Sequence, residues 1–564
     1  MLIYCEPAVR AGGPVNEPAS HTPSSHRARA ATAGAVLALA IAVAVGWPPA
    51  RSSGGQAPPR PNVIVVLTDD QSVAELTPET MPETIKAVAD EGTGFSSSIV
   101  SSPLCCPSRA GFLSGQYPHN SGVFDNEPGY GALIEKDSIL PAWLQAAGYR
   151  TGWSGRFLLN YDREPPPGAL YDTDLGLAPP AGVEDWFGFV GSETKYRGAT
   201  FSDNGTPVTA GTGPADYSTK LINRDALGFV RDAKADPRPF FLMVSHLAPH
   251  SSNTPVPGVG RCGKGGLPIP EDAAAYRPYR KVKLPKPPSF DESKISDKPE
   301  WVATRPALGH TRRRNLKLGL GCALSTLSTV DRGVGELVDQ LERQGELDNT
   351  AIFFTSDNGY FFGEHRIFLN KVYPYEEALR VPLLARVPPA LLGARARRQG
   401  PPEDVGVPVN NLDLTATILD LAGAAPCTAS GACRTLDGRS LRPLLSGERP
   451  DWTRGRALLY QLGGNRDCGQ IPEAGLNNFY DAIRTKRYVY VELDRVNKET
   501  GECDRPEYEL YDLKRDPYQL RNQAVNPALA APSPLQAELT ARLDALRDCN
   551  GIAGRDAAAG TPCE

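Results

Sequence analysis

The stretch Ser102-Pro103-Leu104-Cys105-Cys106-Pro107-Ser108-Arg109-Ala110-Gly111-Phe112-Leu113-Ser114-Gly115 holds the first residues able to do chemistry. A thiol stands just before Pro107, and a run able to form a helix follows. Proline suits a first helical position, where its missing N–H would lack a partner anyway. Cys105 is therefore expected at a helix N-terminus, whose free N–H groups and positive dipole end favour an anionic substrate or a charged intermediate. A buried thiol or half of a disulfide is the ordinary alternative for a cysteine.

A second chemistry is offered by two oxygen-rich pairs, Asp69-Asp70 and the Asp357-Asn358 of Thr355-Ser356-Asp357-Asn358-Gly359. Carboxylates and an amide without neighbouring Cys or His ligands suit a hard cation such as Ca²⁺ or Mg²⁺. Such pairs also serve as caps and turns. What distinguishes these two is that each follows a predicted strand.

Those strands define the scaffold. Asn62-Val63-Ile64-Val65-Val66-Leu67 is a short, continuous, β-branched apolar run, the pattern of a strand buried on both faces. Its C-terminal end is where ligands bind in open α/β sheets. Similar runs recur at Phe240 to Val244, Ala351 to Phe354 and Val381 to Leu384. Between them Val330, Val334, Leu337, Val338 and Leu341 mark one helical face ending near Gly345, and Leu412 to Leu421 reads as another helix. Alternating strands and helices give an α/β layered domain, followed by a turn at Asp437 to Leu441. From about Arg454 the texture changes: Ala482 to Arg484, Tyr488 to Val491 and Glu509 to Leu513 read as strands and Leu535 to Leu546 as a closing helix, a smaller α+β domain. The expected division is 1–55, 56–453 and 454–564.

A long Pro-rich, basic stretch separates the strand at Phe240 from the helix at Val330. It includes Arg277-Pro278-Tyr279-Arg280-Lys281-Val282-Lys283 and Arg312-Arg313-Arg314. Long loops inside compact domains are often functional, and these charges could hold a polyanionic substrate, although a basic run is more often a solvated surface.

At 564 residues and 40% hydrophobic content the chain can bury a large core. Its net charge of −5 argues against a general nucleic-acid binder. Arg27 and Arg29 precede the apolar run Ala31 to Trp47, and a Pro/Gly/Ser-rich linker follows. The run, slightly shorter than the ~20 residues of a spanning helix, reads as a cleaved signal core, with a retained membrane anchor as the alternative. Of the 11 cysteines, eight lie outside the leader and the Cys105-Cys106 pair. An even number in an exported chain suggests disulfides. Their spacing suggests Cys427 with Cys433, Cys468 with Cys503, Cys549 with Cys563, and Cys262 with Cys322.

The Cys105-Cys106-Pro107-Ser108-Arg109 string resembles the signature of the type I sulfatases, in which the first cysteine is oxidised to the catalytic formylglycine. The resemblance extends over nearly all of the mature chain. Pro61 to Asp70 is similar to the family's first strand and metal pair, and Ser356-Asp357-Asn358-Gly359 to the second. It implies a large mixed central sheet flanked by helices, as in alkaline phosphatase-like proteins, and a smaller C-terminal domain carrying an antiparallel sheet. It also implies one divalent cation, calcium before magnesium, held by Asp69, Asp70, Asp357, Asn358 and the residue made from Cys105. A formylglycine-generating enzyme would be the maturation partner. Arg109 resembles the arginine that holds formylglycine, His250 in Ala248-Pro249-His250-Ser251 a substrate-contacting histidine, and Lys371 the lysine beside the sulfate. His365, in Gly363-Glu364-His365, is a weaker candidate.

The chain departs from the family at Gly155-Arg156-Phe157-Leu158-Leu159-Asn160. Many sulfatases have Gly-Lys-x-His here. Arg156 keeps the charge without being a simple stand-in for lysine, and no histidine follows, so the usual base is missing. A branch resembling the N-acetylglucosamine-6-sulfatases also lacks it, with an asparagine nearby, which makes Asn160 a candidate polar contact. That branch also shares the Cys-Cys form of the signature, Tyr117-Pro118-His119-Asn120 and Gly345 to Thr350. The implied reaction is hydrolysis of a sulfate monoester: hydrated formylglycine attacks sulfur, the alcohol leaves with a proton from His250 or Lys371, and sulfate is expelled as the aldehyde reforms. A phosphomonoester or phosphonate hydrolase of the same superfamily, or a non-catalytic binding protein with Cys105 unconverted, are the alternatives.

Overall fold

In a computed structural model the run Val63 to Leu67 is buried at every position because it lies mid-sheet, covered on both faces. The structure describes residues 60–161, 177–191, 194–393, 404–463, 478–495, 506–556 and 560–564. The central sheet contains nine strands: β1 (Asn62–Asp69), β2 (Thr93–Gly94), β3 (Arg150–Gly155), β4 (Asp185–Phe189), β5 (Thr200–Asp203), β6 (Thr206–Thr209), β7 (Phe240–Pro249), β8 (Thr350–Ser356) and β9 (Leu383–Arg386). Their spatial order is β2-β9-β8-β1-β7-β3-β4-β5-β6. Neighbours from β8 through β1, β7 and β3 to β4 are parallel, and the outer pairings are antiparallel. The sheet is thus mixed, and β1 sits between β7 and β8.

Period-two alternation along β1 sends Val63, Val65 and Leu67 to one core and Ile64 and Val66 to the other. The first core is closed by α1 (Cys105–Ser114) and α4 (Asn411–Ala422). The second is closed by α2 (Ser218–Ala233) and α3 (His310–Gln344). The α3 helix is longer than the sequence pattern suggested. Leu316, Leu320, Leu324 and Leu327 continue the spacing of Val330 and Val334 towards the N-terminus, so Arg312-Arg313-Arg314 forms its first turns rather than a loop. It ends, as expected, at a left-handed Gly345, φ 71°.

A second, four-stranded antiparallel sheet follows in simple order: β10 (Ala457–Leu462), β11 (Asn478–Thr485), β12 (Tyr488–Arg495) and β13 (Glu507–Asp512). The first of these went unpredicted, although Ala457-Leu458-Leu459-Tyr460 is a continuous apolar run. On one face α5 (Pro534–Arg547) packs through Leu539, Leu543 and Leu546. On the other, Leu458, Tyr480 and Tyr511 pack against Ile99, Tyr375 and Leu379 of the larger layer. Three of the four expected disulfides are present: Cys262–Cys322, Cys427–Cys433 and Cys549–Cys563. The Cys468–Cys503 pairing and the apolar run at 31–47 lie outside the described residues. No helix among the described residues is long and apolar enough to cross a membrane.

Candidate active site

The two oxygen-rich pairs meet because their strands are adjacent and in register. Thr68 on β1 lies opposite Ser356 on β8, and the Asp357 N–H donates to the Thr68 carbonyl at 3.1 Å. Beyond that point Asp70 turns into the left-handed region, φ 71°. Its N–H donates to Asp357 Oδ1 at 3.2 Å, and the Asn358 amide donates to Asp70 Oδ1 at 2.7 Å. All four side chains are buried.

Cys105 is the first residue of α1, after the extended Leu104. The helix therefore starts two residues earlier than its proline implied. Pro107 is its third residue, still within the first four positions whose N–H groups have no helical partner. The anion-binding end is also less open than expected. Cys106 N–H donates to Asn126 Oδ1 at 2.9 Å, and Pro107 has none. Cys106 packs in the core, its sulfur accepting from the Leu159 N–H at 3.1 Å.

The charge comes instead from side chains. Arg109, one turn along α1 from Cys105, joins the strand ends. Its Nε reaches Asp357 Oδ2 at 2.7 Å, and its two Nη atoms reach Asp69 Oδ2 at 3.1 Å and Ser245 Oγ at 2.8 Å. Arg156, just after β3, bonds Asp69 Oδ2 at 2.6 Å. Lys371 Nζ lies 2.7 Å from Cys105 Sγ and 3.4 Å from Asn358 Oδ1, and also bonds Asp70 Oδ1. Leu369 and Val372, flanking Lys371, are both left-handed at φ 43° and 73°. Such a conformation in a β-branched residue is costly and concentrates at functional sites. His250, after β7, places Nε2 at 3.7 Å from Asp70 Oδ2. Its Nδ1 lies 2.7 Å from the Ser251 carbonyl and must donate to it, leaving the Nε2 lone pair facing the site in the neutral ring.

Three carboxylates thus face three permanent cations, and the electrostatics follow. Burial alone would raise Asp69, but Arg156, His250, Arg109 and Lys371 together hold its carboxyl well below the usual range. Asp357 is pushed up to about 6, by burial first and then by Asp69. Burial would lower Lys371, but Asp70 above all, with Asp69 and Asp357, holds it well above the ordinary lysine value. Burial and then Asp69 push the Cys105 thiol well up, so the unmodified sulfur stays protonated and a poor nucleophile.

Among the described residues, one donor atom each from Asp69, Asp70, Cys105 and His250 falls within a 4.8 Å cluster. The Lys371 ammonium touches Asp70, Cys105 and Asn358 at once, so these donors converge on a point that accepts positive charge. Carboxylates and an amide oxygen around such a point fit a hard divalent cation.

The structure brings together Asp69, Asp70, Cys105, Arg109, Arg156, His250, Asp357, Asn358 and Lys371. It places two other candidates elsewhere. Asn160 is tied to the neighbouring loop, donating to Asn126 O at 3.1 Å and Glu127 Oε2 at 2.7 Å. His365 is fully buried against Glu292, at 2.7 Å, and Tyr375. Sequence reasoning missed Ser245, which ends the apolar run of β7 and bonds Arg109, and Ser356, whose Oγ accepts from the Gln71 N–H at 3.0 Å. A hydroxyl directly after a buried apolar run was the available signal. A cavity of about 560 Å³ between β4, β5 and α2 shares no residue with this cluster.

A mixed sheet with carboxylates and cations gathered at the C-terminal ends of its parallel strands, beside a cysteine at a helix start, is an architecture suited to an anionic substrate. Family models narrow the class. The sulfatase model matches residues 61–424, and that of the N-sulphoglucosamine sulphohydrolase C-terminal region matches 363–549. The chain belongs to the sulfatase family and is a sulfuric ester hydrolase. It is 31% identical over 528 residues to the N-acetylglucosamine-6-sulfatase of Capra hircus, covering 87% of this chain and 84% of that protein. It is 32% identical over 441 residues to the extracellular sulfatase SULF-1 homolog of Drosophila melanogaster, covering 75% of this chain but only 35% of that longer protein. A solved protein in complex with its substrate D-glucosamine-2-N,6-O-disulfate shares the fold, with a TM-score of 0.60, 24% identity and coverage of 86% and 97%.

Proposed function

We propose that this protein is an exported sulfatase that removes sulfate from a sulfated sugar, with formylglycine made from Cys105 as its nucleophile and a divalent cation, calcium before magnesium, as its metal. The observation that carries the reading is the position of Cys105: at a buried helix start, 2.7 Å from Lys371 Nζ and 3.6 Å from Asp69 Oδ1. N-acetylglucosamine-6-sulfatases at about 30% identity over most of the chain support an amino-sugar sulfate as the substrate class. Disulfides support export, because they persist in oxidising compartments.

Asp69, Asp70, Asp357 and the Oδ1 of Asn358 would hold the cation. When bound, it draws charge from a sulfate oxygen and helps orient the nucleophile. Formylglycine made from Cys105 would, as its hydrate, supply two hydroxyls, one as the nucleophile towards sulfur and the other as the group from which sulfate could be released. Arg109 fixes Asp69, Asp357 and Ser245 relative to α1, a positioning role. Arg156 neutralises Asp69 and adds positive charge beside the sulfate. Lys371, protonated and in contact with the Cys105 side chain, is the proton donor to the departing alcohol. His250, with Nδ1 committed to Ser251, offers Nε2 as the acceptor that the missing Gly-Lys-x-His histidine would otherwise supply.

Mass spectrometry of the Cys105 peptide, from protein made with a formylglycine-generating enzyme, tests the nucleophile. The expected mass is that of the aldehyde or its hydrate, and an intact thiol in active protein would refute the mechanism. Matched aryl sulfate and aryl phosphate assays should favour the sulfate; a strong preference for phosphate would move the protein to another branch of the superfamily.

A further inference from the structure

The chain is acidic overall, yet residues 261–317 hold fourteen lysines and arginines against six acids. This excess is arranged as a surface. The strap at 279–284 lies along α3: a Cβ at Gly321 would sit 2.8 Å from Tyr279 O and 3.5 Å from Val282. Farther along, Leu284 packs in a small cluster with Phe290, Leu308 and Leu316. Val282 and Leu284 thus face inward, while Lys281, Lys283 and Lys286 are exposed. Beside them α3 exposes Arg312, Arg314 and Lys317, the last two sharing a helical face at a spacing of three. Apart from Arg313, bonded to Asp291, these first turns carry no ion pair among the described residues.

The ridge leads to the catalytic cluster. After His250 the chain pairs Ser252 with Leu267, and Cys262–Cys322 fastens this loop to α3. At Gly319 the helix comes so near that an added Cβ would lie 3.1 Å from Leu369 and 3.5 Å from Leu267. Leu369 stands two residues before Lys371. A narrow cleft there is bounded by Asp70, Ser251, Leu267, Gly319 and Leu369. At 1.5 Å per residue, Arg312 lies about 10 Å along the helix from Gly319.

We propose that this ridge holds a polysulfated polysaccharide chain whose terminal sugar occupies the catalytic cluster, so that the enzyme acts on polymers and not only on isolated sulfated sugars. The proposal rests on the sulfatase reading above and adds the substrate's length and charge. Exposed, solvated cations in a row attract a linear polyanion through its many charges rather than through one buried contact, so the interaction weakens steeply with salt. The proline-rich Leu284-Pro285-Lys286-Pro287-Pro288 keeps the strap extended and leaves it little freedom to lose on binding.

The test uses the full chain with Cys105→Ala for binding and the matured enzyme for turnover. Two charge reversals are made, Arg312→Glu/Arg314→Glu/Lys317→Glu and Lys281→Glu/Lys283→Glu/Lys286→Glu. The probes are a long heparin chain and a heparin disaccharide. Each reversal should weaken the long chain about tenfold or more with a shallower salt dependence. Disaccharide affinity and aryl sulfate turnover should stay within about twofold. Unchanged affinity for the long chain would overturn the proposal, as would parallel losses on the disaccharide and aryl sulfate. So would tighter ridge-dependent binding of transfer RNA or phosphatidylserine vesicles at the same salt. Absent sulfate release with intact heparin binding would count against the catalytic reading alone.

Discussion

Two buried charge clusters lie close in sequence and differ in design. In the catalytic cluster, Asp69, Asp70 and Asp357 face Arg109, Arg156 and Lys371 around one point, with Lys371 and His250 11% and 19% exposed. In the second, between the two sheets, Lys298 and His365 are completely enclosed. There the groups are strung out: His365 to Glu292, Lys298 to Glu292 at 3.3 Å and to the Leu520 carbonyl at 2.9 Å, and the Tyr375 hydroxyl to Glu509 at 2.9 Å. Charges that converge on a reachable point leave room for an added ion or substrate, whereas a sealed line of pairs fixes two layers together. The two histidines illustrate the rule: His250 presents a free nitrogen to the carboxylates, and His365 lies flat on Tyr375 with ring centres 4.2 Å apart.

The largest effects should fall on the first cluster and spare stability. Cys105→Ala, compared with the matured parent, should lower aryl sulfate kcat by about 10⁵-fold or more, with the thermal midpoint nearly unchanged; residual activity within tenfold of the parent would move the nucleophile elsewhere. Asp69→Asn should cost about 10³-fold in kcat/KM, the scale of losing one charged contact to the reacting centre. It should also abolish the rise in melting temperature expected on adding calcium to the parent. Chelation of the parent should mimic the substitution, and activity that survives exhaustive chelation would sink the metal assignment.

The second cluster should behave in the opposite way. Lys298→Met leaves Glu292 with one cationic partner fewer in a sealed site, and breaking a buried pair costs about 3–5 kcal/mol. Denaturant unfolding should show that loss while kcat/KM of the folded enzyme stays within about twofold. A selective fall in turnover would erase the distinction between the clusters.

That distinction was only half legible in the sequence. Strand β1 and the two oxygen-rich pairs could be read because an unbroken β-branched run followed by acids has few other structural uses. The convergence of Arg109, Arg156 and Lys371 could not be read from spacing, since they come from a helix, a strand end and a strained loop; family resemblance supplied them. His365 stood as a weaker candidate because surface histidines near turns are common, and nothing local foretells that Glu292 and Tyr375 enclose it. Arg312 to Arg314 looked like loop because three charges conceal the leucine spacing that continues α3. Ser245 was overlooked because a polar residue ending an apolar run is also an ordinary strand terminus.

The smallest effect tests the second cluster by titration. Burial pushes the Glu509 carboxyl up from its ordinary 4.5 to about 7, even though hydrogen bonds from Tyr511 and Tyr375 favour its charged form. Between those values the folded protein holds a proton that the unfolded chain has released, so stability falls as pH rises through this window. At 1.36 kcal/mol per pKa unit the loss is capped at about 3 kcal/mol. Glu509→Gln keeps a neutral, hydrogen-bonding group at that position, so its stability should vary less between pH 5 and pH 8 than the parent's. The variant should gain on the parent towards pH 8, as measured by urea unfolding at both values. Equal pH dependence in the two proteins would mean that Glu509 is ionised when folded. The second cluster would then hold an ionised buried carboxylate as the first does, and convergence on a reachable point would be the only remaining difference between them.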